Sequence, residues 1–188
     1  MLMLLTALGC SSGDAPKAPT AAPSRVDVVA APPKRAADPD AFCDSRGGQK
    51  FSWPEVDGTP PENASGWTWV NVWATWCKPC VAEMPMIQGW AKKLNESGTK
   101  VTQQFISVDA KPEDLTTFLS LHTGFPTPMP RLKQIDQLTP WLQSEGLDAS
   151  ASLPLHLFLD DTDTIRCVRM GAVGDNDYDA IALVLQGK

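Results

Sequence analysis

Apolar runs separated by polar turns predict regular strands from residue 67 onward. Trp67 to Trp73 is rich in aromatic and β-branched residues, which predicts a buried strand, and Val101 to Asp109 predicts a second one. Leu155 to Leu159 and Ile165 to Met170 are two further apolar runs, and the polar residues 160–164 between them predict a hairpin. The pattern therefore predicts four strands, of which the last two pair directly.

Four helices are predicted between and after these strands. They cover about Cys77 to Asn95, Pro112 to Leu121, Gln137 to Glu145 and Asp177 to Leu185. The first contains Pro85, which should kink it. Residues 51–66 and 124–130 are rich in proline and glycine and predict turns and loops. The order combines a parallel crossover with an antiparallel hairpin, which indicates an α/β protein with a mixed sheet.

The first 41 residues differ from the rest and predict segments outside the folded domain. Residues 1–14 form a short apolar signal-like segment, in which Leu8-Gly9-Cys10 resembles a bacterial lipobox with Cys10 as the acylated residue. The basic residues that normally open a signal are absent, so an ordinary cleaved signal or a disordered terminus stays open. From Ala15 to Pro39, 14 of 25 residues are Ala or Pro, which predicts an extended linker over residues 15–41.

Composition and charge narrow the possible functions. The 188 residues are 43% apolar and suffice for one domain with a core plus an extension. The formal net charge of −6 makes nucleic acid an unfavourable partner. No apolar stretch after the N-terminus is long enough to span a bilayer.

The sequence Cys77-Lys78-Pro79-Cys80 carries the candidate chemistry. It follows the first predicted strand and begins the first predicted helix. The first thiol would lie at the helix N-terminus, where unpaired N–H groups and the helix dipole favour the thiolate. The second would lie one turn further on the same face, so that one sulfur attacks a partner while the other resolves the mixed disulfide. Two cysteine ligands of a zinc site can have the same C-x-x-C spacing, so a zinc half-site is an alternative interpretation of this motif.

Residues 73–80 read Trp-Ala-Thr-Trp-Cys-Lys-Pro-Cys, and Leu153-Pro154 precedes the hairpin. Together with the order of elements, these motifs resemble the thioredoxin superfamily. More narrowly, they are similar to its extracytoplasmic TlpA/ResA/CcmG-like thiol–disulfide oxidoreductases. The resemblance implies a thioredoxin-like α/β domain over residues 42–188, with a central mixed β-sheet flanked by helices. We expect no cofactor and no bound metal.

The resemblance also implies roles for residues at the site. Cys77 would be the nucleophile and Cys80 the resolving thiol. The extracytoplasmic branch carries a glutamate at the position of Glu83, one helical turn beyond Cys80, where it would accept and return the proton of Cys80. Cytoplasmic thioredoxins instead have a buried aspartate at the position that is Asn71 here, and an asparagine does not titrate. The alternative is that Glu83 is an exposed helix residue.

Three residues are expected to contact the substrate. Trp76 would form part of the docking surface. Pro154 resembles the cis-proline that faces the two cysteines, and it would bring the Leu153 backbone beside Cys77, where an extended substrate can pair with it. The family often has Thr or a small residue in place of Leu153, so we expect a more apolar groove. An ordinary trans-proline at a strand start is the alternative.

Cys43 and Cys167 lie outside the motif. In an exported protein this pair suggests a structural disulfide that ties the segment before the domain to a late strand, with two buried free thiols as the alternative. A zinc site would need the motif cysteines and two further ligands from Cys43, Cys167, His122 and His156. Tetrahedral zinc favours a second closely spaced pair of ligands, and the sequence has none.

The expected function is that of an exported thiol–disulfide oxidoreductase in the cell envelope or periplasm, anchored by lipid at Cys10. It would reduce disulfides of protein substrates, such as apocytochrome c before haem attachment, and would take electrons from a membrane donor. The alternative is a copper-binding assembly factor on the same fold, with His156 as a third ligand. Such copper proteins normally use a C-x-x-x-C spacing. A peroxiredoxin is a third option, but no proline lies close before Cys77.

Overall fold

The computed structural model describes residues 37–59, 65–148 and 152–187. Within them, six strands form one mixed sheet. They are β1 (Val56–Asp57), β2 (Trp67–Trp73), β3 (Val101–Ser107), β4 (Arg131–Leu132), β5 (Leu155–Leu159) and β6 (Ile165–Met170). Their order across the sheet is β1-β4-β3-β2-β5-β6.

The same residues contain five α-helices, of which the first precedes the first strand and the others alternate with the later strands or follow them. They are α1 (Pro39–Phe42), α2 (Lys78–Glu96), α3 (Pro112–Leu121), α4 (Leu138–Ser144) and α5 (Tyr178–Val184). Short 3₁₀ turns at Ile135–Gln137 and Asp175–Asp177 lead into α4 and α5. The prediction of an α/β fold with a mixed sheet is confirmed.

Strand β2 lies at the centre and carries the site at its C-terminal end. It pairs in parallel with β3 and antiparallel with β5. Six of its seven residues are buried, because neighbours cover both faces, and this explains its continuous apolar run. The register with β5 places Asn71 opposite His156 and Val72 opposite Leu155. The residues around the cis-proline therefore lie beside the end of β2.

Helix α2 extends from the motif and buries one face against the core. Its buried residues recur at the helical period: Cys80, Glu83, Met84, Ile87, Ala91 and Leu94. The helix continues through the exposed Pro85 to Glu96. It ends where Gly98 takes a φ of 94°, a conformation that glycine adopts without steric cost.

The chain before β1 is attached to the β6 edge of the sheet, opposite the edge that β1 forms. Helix α1 begins at Pro39, and the Asp38 side chain caps it by accepting hydrogen bonds from the first-turn N–H groups. Phe42 is buried, and its ring contacts that of Phe158. The predicted boundary between linker and domain, after residue 41, thus falls inside a capped helix.

Strand β1 lies within the predicted turn-rich segment 51–66, and β4 directly follows the predicted loop 124–130. Each has only two residues, and they pair antiparallel as Val56 with Leu132 and Asp57 with Arg131. Strands this short carry no alternation of apolar and polar residues. They exist because two distant segments meet at the sheet edge.

Candidate active site

Cys77 and Cys80 lie where β2 passes into α2. Cys77 is the N-cap residue of α2, and its sulfur accepts a hydrogen bond from the Cys80 N–H at 3.4 Å. The two cysteines form a disulfide in this structure. The exposed residues Lys78 and Pro79 make up the first turn between them. A thiolate at Cys77 would face the unpaired N–H groups and the positive end of a 19-residue helix.

Asp109, which the sequence analysis did not single out, fixes the turn that precedes Cys77. Its buried carboxylate accepts hydrogen bonds from the Thr75 N–H (3.1 and 3.2 Å to the two oxygens) and the Thr75 hydroxyl (2.7 Å). The Ser107 hydroxyl donates a further bond at 2.7 Å. A polar residue just after β3 could have indicated a role at the site, because β3 runs parallel to β2 and the two strands have their C-terminal ends on the same side of the sheet.

The peptide bond between Leu153 and Pro154 is cis, as the sequence analysis expected. Leu155, the next residue, pairs with Val72 in the sheet. Leu153 and Cys77 line the same groove. The structure thus brings Leu153 and the motif together from positions far apart in the sequence.

The groove beside Cys77 has a volume of about 600 Å³ and a mostly apolar lining. Trp76 and Ile135 are unusually exposed for large apolar side chains, at 65% and 43%. Ile135 and Leu138 enter from the segment before and at the start of α4, which the sequence analysis did not assign to the site. Trp76, Cys77, Ile135, Leu138 and Leu153 all line this groove.

Glu83 is buried beneath the motif and is not an exposed helix residue. Only 4% of its surface is accessible. Its Oε2 accepts a hydrogen bond from the Val173 N–H at 2.8 Å, and its Oε1 accepts one from Asn71 Nδ2 at 3.2 Å. A buried carboxylate needs such donors to offset its lost hydration. Asn71, at the position of the thioredoxin aspartate, therefore acts as a hydrogen-bond donor to Glu83.

His156 completes this buried cluster. Its Nδ1 lies 3.2 Å from Trp69 Nε1 and 3.2 Å from Asn71 Nδ2, and its Nε2 lies 3.2 Å from Glu83 Oε1. The last pair is close but not aligned as a hydrogen bond, so within the described residues Nε2 is a buried polar atom without a hydrogen-bond partner. The sequence pattern gave His156 only as a candidate zinc or copper ligand and did not indicate its position beside Glu83.

Cys43 and Cys167 are joined by a disulfide between the C-cap of α1 and strand β6. Neither residue lines the groove. Cys10 lies outside the described residues, as do the signal-like segment and most of the predicted linker.

Metal binding has no geometric basis in the part of the chain that the structure describes. No three His, Cys, Asp or Glu side chains come together there in a way that could hold a metal ion. The copper-binding alternative therefore has no support. Residues 37–59, 65–148 and 152–187 also contain no helix with the length and apolar character needed to cross a membrane.

Comparisons with known proteins agree with the fold. No family model matches the chain. It is 24% identical to the thioredoxin-like protein YneN of Bacillus subtilis over 139 residues, which cover 72% of this chain and 70% of YneN. It is 31% identical to the thiol-disulfide oxidoreductase ResA of Oceanobacillus iheyensis over 70 residues, which cover 37% of this chain and 35% of ResA.

A solved structure shows the same architecture. It is the crystal structure of a thiol:disulfide interchange protein of the thioredoxin family from Chlorobium tepidum, which matches with a TM-score of 0.55 at 22% identity. The match covers 76% of this chain and 99% of that one. The expected class is thus confirmed: the chain is a thiol–disulfide oxidoreductase with a thioredoxin-like fold.

Proposed function

We propose that this chain is an exported reductant of protein disulfides, with Cys77 as the attacking thiol and Cys80 as the resolving thiol. One observation carries the assignment of roles. Cys77 caps α2 and lines the apolar groove, whereas Cys80 lies behind it with no accessible surface. A substrate disulfide can therefore approach Cys77 but cannot reach Cys80 directly.

The reaction proceeds in two exchanges. The Cys77 thiolate attacks one sulfur of the substrate disulfide, whose S–S bond breaks, and the other substrate sulfur leaves as a thiolate. Cys80 then loses its proton and attacks the Cys77 sulfur. The Cys77–Cys80 disulfide forms, and the second substrate sulfur leaves as a thiolate. Two electrons pass from the protein to the substrate, and the substrate thiolates take up two protons.

Glu83 is proposed as the group that accepts the proton of Cys80. It follows Cys80 by one helical turn on the buried face of α2. Its hydrogen bonds from Asn71 and Val173 fix both carboxylate oxygens inside the buried cluster. A carboxylate held in this way acts as a general base without reorganising solvent.

The groove supports a substrate that presents apolar residues beside its cysteine. Trp76 and Ile135 offer exposed apolar surface in the groove beside Cys77, and Leu138 and Leu153 add further apolar lining. Removal of such apolar surface from water favours formation of a complex. Leu153 lines the same groove, and an extended substrate segment would pair with its backbone there.

The envelope location rests on two features of the chain. The Leu8-Gly9-Cys10 string supports acylation at Cys10, and the Cys43–Cys167 disulfide is typical of an oxidising compartment. We propose a membrane electron donor, and apocytochrome c or other envelope proteins as substrates.

The central test is reduction of insulin disulfides with dithiothreitol as the electron source. The wild-type protein should be active, and Cys77→Ser should abolish activity. Cys80→Ser should accumulate mixed disulfides through Cys77, because the resolving thiol is gone. The matched control is the Cys43→Ser, Cys167→Ser pair, which should form no long-lived adducts. Adducts in Cys77→Ser and none in Cys80→Ser would reverse the two roles.

A further inference from the structure

His156 is a fully buried histidine on β5, opposite Asn71 of β2 and beside Glu83 of α2. Buried imidazoles normally have both ring nitrogens paired. Here Nδ1 has two neighbours within 3.2 Å, whereas Nε2 has no aligned partner among the described residues. The unpaired nitrogen faces the carboxylate that the proposed reaction uses as its base.

The neighbours of Nδ1 decide which nitrogen carries the ring proton. The indole N–H of Trp69 can only donate a hydrogen bond, and it lies 3.2 Å from Nδ1. Nδ1 must therefore accept, and in the neutral ring the proton is at Nε2. The amide nitrogen of Asn71, also a donor, lies at the same distance from Nδ1 and favours the same tautomer.

Nε2–H is thus a buried donor that lies 3.2 Å from Glu83 Oε1 without being aligned with it. A small rotation of either side chain would complete the hydrogen bond. The structure shows the oxidised form, in which Cys80 is bonded to Cys77 and has no proton to transfer. In this oxidised form Glu83 has no thiol to deprotonate, and the Nε2–H donor of His156 makes no hydrogen bond within the described residues.

We propose that His156 is a positioning residue for resolution. In the dithiol and mixed-disulfide states its Nε2–H bonds to Glu83 Oε1, holds the carboxylate toward Cys80, and so speeds the transfer of the Cys80 proton. This inference rests on the proposed role of Glu83. Trp69 and Asn71 fix the tautomer that makes His156 a donor.

Glu83 and His156 belong to one buried cluster built from separate parts of the fold. Its members are Cys80 and Glu83 on α2, Asn71 on β2, His156 on β5 and the Val173 N–H before α5. A change at His156 should therefore act on the same step as a change at Glu83.

The test isolates resolution from the first attack. Reduced protein is mixed in a stopped-flow instrument with the aromatic disulfide 5,5′-dithiobis(2-nitrobenzoate), and release of the coloured thiolate is followed. Attack by Cys77 releases one equivalent at a rate that depends on the concentration of the reagent. Attack by Cys80 on the mixed disulfide releases the second in a concentration-independent phase.

Four proteins form a double-mutant cycle: the wild type, His156→Phe, Glu83→Gln and the double variant. We expect His156→Phe to slow the second phase about tenfold in the wild-type background, as for one lost hydrogen bond to a charged group. It should have no further effect in Glu83→Gln, because it acts through Glu83. His156→Gln should restore most of the rate, since its amide oxygen accepts from Trp69 while its nitrogen donates to Glu83.

Equal slowing by His156→Phe in both backgrounds would show a structural role and overturn the proposal, as would an unchanged second phase. If Glu83→Gln by itself leaves the second phase unchanged, the proposed proton acceptor is also wrong, which separates the two failures. Should His156→Phe not fold, His156→Gln and His156→Asn supply the contrast, because only the longer amide reaches Glu83. Equal rates for those two variants would then refute the inference.

Discussion

Removal of the Cys43–Cys167 disulfide should destabilise the protein strongly. The two cysteines are 124 residues apart. The loop-closure relation for cross-linked chains then gives an upper value of about 4.9 kcal/mol at 25 °C. Real unfolded chains are already compact, so we expect about 2–4 kcal/mol. The folded state should change little, because the Asp44 N–H bond to Val168 O (2.8 Å) and the Phe42–Phe158 contact both stay.

The chain contains its own control for this prediction. Cys77 and Cys80 are only 3 residues apart, and the same relation gives about 1.6 kcal/mol for their disulfide. Each bridge contains one cysteine without accessible surface, Cys167 or Cys80, so alanine leaves a similar gap in both cases. The Cys43→Ala, Cys167→Ala pair should therefore lose clearly more stability than the Cys77→Ala, Cys80→Ala pair.

Urea unfolding without reductant measures the difference. With a slope of about 2 kcal/mol per molar urea, the Cys43→Ala, Cys167→Ala variant should unfold at about 1–2 M lower urea than the wild type. Its slope should also rise, because its unfolded chain exposes more surface. Equal midpoints for the two alanine pairs would refute the loop-length reasoning. A non-reduced digest without linked Cys43 and Cys167 peptides would refute the bridge itself.

Three other predictions concern the site, the pH dependence of stability and the membrane anchor. Glu83→Gln should lower the apparent thiol pKa values, because it removes a nearby negative charge, and it should also slow resolution. If alkylation titrations and reduction rates are both unchanged, Glu83 has no part in the mechanism. Burial raises the pKa of Glu145, against the hydrogen bonds from Ser52 and Ser144. The stability that this raised pKa contributes is present below the ordinary value of 4.5 and is lost as the pH rises through the folded-state value. Glu145→Gln should therefore gain stability relative to the wild type between pH 4 and 7 in urea titrations, and a constant difference would contradict the sign. Cys10→Ala should move the protein from the membrane to the soluble fraction, whereas equal release of both forms would exclude the anchor.

The elements that the sequence predicted well are those with local signals. Strands β2, β5 and β6 and helix α3 have the predicted bounds, because aromatic and β-branched runs and a proline at the helix start mark them within a few residues. Strands β1 and β4 were missed, since each has only two residues and exists through pairing with strands that are distant in the sequence. Helix α1 was hidden in an Ala/Pro-rich composition, although Asp38 and Pro39 are a recognisable cap.

The chain by itself determined where the redox motif would lie. A C-x-x-C between a strand and a helix, with proline in the first turn, depends on residues within four positions of one another. The same helical spacing placed Glu83 on the face of Cys80.

Only the tertiary structure decided what surrounds that motif. Val173 lies 90 residues from Glu83, Trp69 lies 87 from His156, and Asp109 lies 34 from Thr75, yet each pair shares a hydrogen bond. Such contacts follow from the order and register of the strands, which bring distant segments to one end of the sheet. The sequence pattern indicates which residues are buried. Because the hydrophobic effect that buries them has no preferred direction, the pattern does not indicate which buried polar groups contact one another. The contacts that place Glu83 and His156 beside each other could therefore be read only from the fold.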